Sequence, residues 1–143
     1  MHSFILFLDF DGVLHPGTSG TARYAPALEA VMLPFPQAQV VVSSNWRMGQ
    51  TLEELRGWFS DAFAPRLIDV TPVLPNGERA SGRQGEIEQW LRANPTLLWR
   101  ALDGEASLFQ EGCPWLIPTD RRTGLDEQAL GSLRTTLSRA FNA

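Results

Sequence analysis

The apolar positions of the chain gather into short runs separated by amphipathic stretches and turn-forming clusters. Phe4 to Leu8 is an unbroken apolar run that gives way at once to Asp9-Phe10-Asp11-Gly12. Gln39-Val40-Val41-Val42 is a second run, β-branched and without alternation, which predicts a strand buried on both faces. Shorter segments over Arg66 to Val70, Thr96 to Leu102 and Trp115 to Ile117 predict three further strands. Between the runs lie helical patterns. Pro26 to Met32 carries a proline in its first turn and is stopped by Leu33-Pro34-Phe35-Pro36. Thr51 to Phe59 sets Leu52, Leu55 and Phe59 on one face, with Thr51 and Glu54 at capping-box spacing. Arg83 to Asn94 aligns Ile87, Trp90 and Leu91, and Asn94-Pro95 closes it. Leu125 to Phe141 aligns Leu130, Leu133, Leu137 and Phe141. His15 to Gly20 and Thr71 to Ser81 are loops, the second holding an Asn76-Gly77 pair suited to a tight turn.

Strands that alternate with helices predict an α/β fold: a three-layer α/β/α Rossmann-like sandwich around a mostly parallel five-stranded sheet. At 143 residues the chain is expected to form one domain over 1–143, large enough for a sizeable core. Five Trp and eight Phe favour packing over disorder, and the set of Trp58, Trp90 and Trp99 is expected in the core. No apolar stretch approaches the roughly 20 residues of a membrane span, so no membrane partner is expected. The N-terminal apolar run has no basic segment ahead of it and meets the acids too soon for a secretion signal. A single cysteine, Cys113, excludes an intrachain disulfide and suits a reducing cytoplasm, the compartment expected.

Charge sharpens the picture in one respect. All twelve basic residues are Arg, so any contact to phosphate falls to a guanidinium, which binds it in a bidentate fashion. The net charge of −4 argues against a non-specific nucleic-acid coat protein but leaves room for a local arginine patch.

The chemistry gathers where the predicted strands end. In open α/β sheets ligand sites lie outside the carboxyl ends of the strands. The first strand ends in Asp9 and Asp11, the second in Ser43, Ser44 and Asn45, the fourth in Asp103 with Glu105 beyond, and the fifth in Asp120. Two carboxylates held close repel, so the Asp9–Asp11 pair calls for a metal ion or a shared proton. Mg²⁺ is the natural ion for a few carboxylates plus phosphate and water. Serine hydroxyls at a strand end suit phosphate oxygens, and Arg83 at a helix N-terminus adds positive charge; Arg79 is its rival. Trp46 and Arg47 follow the serines and are candidates to stack on or grip a substrate. The bland alternative has Trp46 packed and Arg47 solvated, with His15 an ordinary loop histidine and Asp120 a turn former.

Leu8-Asp9-Phe10-Asp11-Gly12-Val13-Leu14 resembles the first signature of the haloacid dehalogenase-like (HAD) superfamily. Val40-Val41-Val42-Ser43 resembles its second motif, Arg83 stands where the third places a Lys or Arg, and Asp103 matches the acid of the fourth. The combination of Ser-Ser-Asn-Trp-Arg, Arg-Gln-Gly-Glu-Ile-Glu-Gln-Trp-Leu and Pro-Thr-Asp…Thr-Gly-Leu is similar to the small HAD domains associated with RNA-repair proteins. The resemblance implies a Mg²⁺-dependent phosphatase. Asp9 is then the nucleophile, forming an aspartyl-phosphate, and Asp11 the general acid and base. Ser43 and Arg83 bind the phosphoryl group, and Asp9, Asp103 and the Asp11 carbonyl hold the metal. Ser43, Ser44, Asn45 and Arg47 are the expected substrate contacts. The fourth motif often carries two acids in a row, whereas here Gly104 follows Asp103 and Glu105 comes next. Either Glu105 substitutes or the second acid is lost.

Neither the stretch after Asp11 nor the one before Arg83 has room for a cap domain. An uncapped site admits large substrates, such as a phosphorylated nucleic-acid end or another bulky phosphate ester. The alternative is a catalytically weak HAD fold serving as a binding or regulatory module.

Overall fold

The computed structural model describes residues 1–75 and 81–142; the Asn76-Gly77 pair and Arg79 lie outside the described residues. Five strands form one sheet in the order β3-β2-β1-β4-β5, and every pairing is parallel. They are β1 (His2–Leu8), β2 (Ala38–Val42), β3 (Leu67–Val70), β4 (Thr96–Asp103) and β5 (Leu116–Pro118). The helices are α1 (Ala25–Met32), α2 (Leu52–Arg56), α3 (Gly82–Ala93) and α4 (Glu127–Asn142). This is the expected α/β sandwich.

The unbroken apolar run of β1 is explained by its place at the centre. Leu8 pairs with Val42 of β2 on one side and with Leu102 of β4 on the other. Phe4, Leu6 and Leu8 face a cluster that includes Leu28 and Met32 of α1, Leu55 of α2, and Leu133 and Leu137 of α4. Ile5 and Phe7 face the other way, into a cluster with Val41, Ala101, and Ile87 and Trp90 of α3. All five β1 side chains from Phe4 to Leu8 are fully buried. Each contributes about 1.5–3 kcal/mol of hydrophobic stabilisation, so both layers are anchored on the strand that leads into Asp9.

Several boundaries differ from the sequence reading, for identifiable reasons. α2 has the capping box, with Thr51 Oγ1 accepting from the Glu54 N–H and Glu54 accepting from the Thr51 N–H. It stops at Arg56 because Gly57 forms the C-cap, and Phe59 is buried from the following turn. Trp58 is 38% exposed there and is not a core residue. α4 starts at Glu127, after Asp126 accepts the Ala129 N–H at 2.9 Å. α3 begins after Ser81, which is left-handed (φ 61°) and provides no side-chain cap. No described helix is long and apolar enough to cross a membrane.

Candidate active site

β1 lies between β2, which follows it in the chain, and β4, which comes after the chain has crossed back. The crevice at this switch point is where ligands bind in open α/β sheets. The Asp9 N–H donates to Leu102 O (3.1 Å), so the β1–β4 ladder holds Asp9 beside Asp103. Both carboxylates are buried. Arg83, in the first turn of α3, reaches between them: its Nη1 is 2.8 Å from Asp103 Oδ2 and 3.4 Å from Asp9 Oδ2. Arg83 Nη2 donates to Asn45 Oδ1 at 3.3 Å. Asp9 Oδ1 accepts the Phe10 N–H, and Asp103 Oδ1 the Glu105 N–H.

Two buried acids served by one guanidinium are not fully compensated. Burial, reinforced by the negative charge of Asp103 and only partly offset by Arg83, pushes Asp9 up to about 8. Burial also raises Asp103, against the pull of Arg83. Burial acts to lower Arg83, but Asp103 and Asp9 outweigh it and hold the guanidinium above its ordinary range. Excess negative charge on hard oxygen donors fits a divalent cation such as Mg²⁺, and with Asp9, Asp103 and the Asp11 carbonyl as donors most of its shell would be water and substrate. Among the described residues no group of three or more His, Cys, Asp or Glu side chains is placed to hold a metal ion, so a cation here would rest on two carboxylates with a backbone carbonyl, water and substrate.

Asp11 lies outside the buried pair, with its side chain 29% exposed. Its Oδ1 accepts from His15 Nε2 (2.7 Å) and Trp46 Nε1 (3.1 Å). Asp9, Asp11, Ser44, Asn45, Arg83, Glu105 and Arg121 line a common cavity of about 290 Å³. A larger groove of about 920 Å³ runs beside β5 and α4. Its acids, Asp120 and Asp126, are solvent-exposed, so it has none of the buried charge that marks the smaller cavity.

The two serines divide their roles. Ser43 is buried, and its hydroxyl has no hydrogen-bond partner among the described residues. Ser44 lines the cavity and accepts the Trp46 N–H at 3.2 Å, capping the short 3₁₀ turn Asn45–Met48. Its own hydroxyl hydrogen is still free to donate.

Arg47 departs from the expectation of a substrate contact and is not solvated either. It is turned inward, donating to the carbonyls of Ser43, Ser44, Thr71 and Pro72 and pairing with Glu86 at 2.8 Å. With its donors occupied by the protein, it clamps the ends of β2 and β3 to α3. The inward turn follows from Glu86, a buried acid on α3 that needs a cation.

Glu105 is drawn outward, with its carboxylate 2.7 Å from Arg121 Nη1. The glycine before it is dictated by packing, because a Cβ on Gly104 would lie 2.9 Å from the carbonyl oxygen of Gly12. That carbonyl also accepts from Thr119 Oγ1, which binds the β5 end to the loop after β1. A second acid at position 104 therefore has no space. Asp120 caps the Arg122 N–H and shapes its own turn.

Sequence reasoning missed Arg121 and underrated His15. Arg121 has no motif to mark it and arrives in the cavity through the β5–α4 loop. His15 stands four residues after Asp11, a spacing visible in the sequence, but only the fold of the loop makes it a contact.

The family described as "HAD domain in Swiss Army Knife RNA repair proteins" matches residues 5–130. Comparisons with curated proteins and with solved structures find no match. The family match supports a HAD-like phosphohydrolase at the level of the family.

Proposed function

Because the chain belongs to the family of HAD domains found in Swiss Army Knife RNA repair proteins, we propose that it is a Mg²⁺-dependent phosphohydrolase acting through an aspartyl-phosphate. Its proposed substrates are phosphorylated nucleic-acid ends or other bulky phosphate esters. The observation that carries this reading is the buried Asp9–Arg83–Asp103 arrangement at the ends of two adjacent parallel strands.

A carboxylate oxygen of Asp9 attacks phosphorus, and the ester P–O bond breaks. Asp11, at the cavity wall, gives its proton to the departing oxygen. Water then attacks the phosphorus of the acyl phosphate, Asp11 takes the proton, and inorganic phosphate leaves as Asp9 is regenerated. The Ser43 and Ser44 hydroxyls donate to phosphoryl oxygens, and Arg83 offsets the combined negative charge. Mg²⁺, held by Asp9, Asp103 and the Asp11 carbonyl, would supply charge neutralisation and keep Asp9 ionised at neutral pH.

The test is phosphate release from p-nitrophenyl phosphate and from phosphorylated oligonucleotides. Activity is expected only with Mg²⁺, is abolished by chelation, and is lost in Asp9→Asn. A second reading, a HAD fold retained as a binding module, draws on Glu105 being tied to Arg121 instead of joining Asp9 and Asp103. Inertness of the wild-type protein toward every ester, with no measurable Mg²⁺ affinity, would decide for it.

A further inference from the structure

We propose that His15 and Trp46 are positioning residues that fix Asp11 and assign its transferable proton to Oδ2. The proposal rests on the reading of Asp11 as the acid and base of the reaction.

His15 is fully buried, and both ring nitrogens are engaged. Nδ1 lies 3.1 Å from the backbone N–H of Ala22, which can only donate. Nδ1 is therefore an unprotonated acceptor, and the ring hydrogen is on Nε2, 2.7 Å from Asp11 Oδ1. Ala22 is itself left-handed at φ 50° without being glycine. Such a conformation costs of order 1–3 kcal/mol and persists where the surroundings require it.

Trp46 comes from a different element, the 3₁₀ turn after β2, and its Nε1–H donates to the same oxygen at 3.1 Å. Its indole packs against Phe10 and against the His15 ring, with centroids 5.0 and 5.4 Å away. Two fixed donors thus converge on Oδ1. A carboxyl proton on that atom would face both of them, so Oδ2 is the atom left to carry it. The indole also makes the position of Asp11 depend on the strand end that bears Ser43 and Ser44.

A positioned general acid matters for an alkoxide leaving group and little for a nitrophenolate, which departs without a proton. kcat/KM for p-nitrophenyl phosphate and for a nucleoside 3′-monophosphate, in wild type, Trp46→Phe, His15→Leu and His15→Gln, tests the assignment. Because Asp11 also serves as base in the hydrolysis common to both esters, the acid role is read from kcat/KM, which ends at leaving-group departure: Trp46→Phe is expected to lose about 10-fold in kcat/KM on the nucleotide and about 2-fold or less on the aryl ester. His15→Leu is expected to lose more on the nucleotide. His15→Gln, whose amide keeps a donor near the Nε2 position, is expected to recover most of that loss. Equal losses of kcat/KM on both esters, or none on either, would overturn the assignment while leaving the phosphatase reading intact. A wild-type protein inert toward both esters would remove the reading and the assignment with it.

A second measurement needs neither turnover nor a variant that folds. The wild-type chain has two histidines, so nitrogen-15 spectra of labelled, metal-free protein resolve each ring. The Nε2–H tautomer is expected at His15, and an Nδ1–H tautomer would overturn the proposal.

Discussion

The hydroxyl of Ser43 is buried at the end of β2 with no partner among the described residues. An unsatisfied buried hydroxyl costs about 1–3 kcal/mol. Ser43→Ala is therefore expected to hold or raise stability, by up to about 1 kcal/mol, while lowering phosphatase activity at least about 10-fold. Denaturant unfolding beside an activity assay checks both halves, and a destabilised but fully active variant would contradict it. Asp9 has a related tension. Its folded value of about 8 lies above the ordinary 3.8, so the folded state binds the proton more tightly. The stability it contributes is fully present below pH 3.8 and is lost as pH rises through about 8. Metal-free protein should weaken across that window by at most about 1.4 kcal/mol per pH unit. Asp9→Asn, which cannot ionise, should show a flatter profile, with a residual slope from Asp103, whose carboxyl is raised for the same reason. Thermal unfolding in chelator between pH 5 and 8.5 measures the difference, and parallel profiles would rule it out.

At the scale of elements, the Arg47–Glu86 pair joins the turn after β2 to α3, with both side chains almost wholly buried. Removing one partner leaves a buried charge alone, so Glu86→Ala is expected to cost about 3–5 kcal/mol. A shift in urea midpoint reads it; a loss under 1 kcal/mol would mean that water reaches Arg47. Gly104→Ala is expected to destabilise as well, because its Cβ would press on backbone at Gly12, which cannot yield as a side chain would. These two cases mark the limit of what the sequence discloses. Asp9, Asp103 and Arg83 were legible because apolar runs announce strand ends, and parallel strands bring their ends together. The inward turn of Arg47 was not, since its partner lies 39 residues away on another element. Neither was the reason for Gly104, which depends on three loops meeting at the Gly12 carbonyl. His15 belongs between the two: its spacing from Asp11 is local, but a loop has no periodicity from which to infer that the rings and carboxylate meet. Helix ends were misjudged where a cap decided them, as at Gly57 and Asp126.

For the molecule as a whole, the placement of β1 at the centre of the sheet has a consequence for assembly. Its partner β4 begins at Thr96, paired with His2, so one flank of β1 waits for chain about 94 positions away. Parallel pairing over such separations requires closing long loops before it is rewarded, which makes folding slow. A chain cut before Thr96 leaves that flank of β1 bare, a row of unpaired amides beside Ile5 and Phe7. Such a fragment is expected to associate, with sedimentation giving oligomers and circular dichroism lacking the cooperative melt of the intact chain. A monomeric, cooperatively melting fragment would contradict this. The same arrangement ties competence to completeness. Asp9 meets Asp103 only when β4 has docked, and Arg83 spans the pair only when α3 has packed behind them. A chain caught midway through folding would therefore carry its acids apart, so that the proposed chemistry can begin only after the sheet has closed.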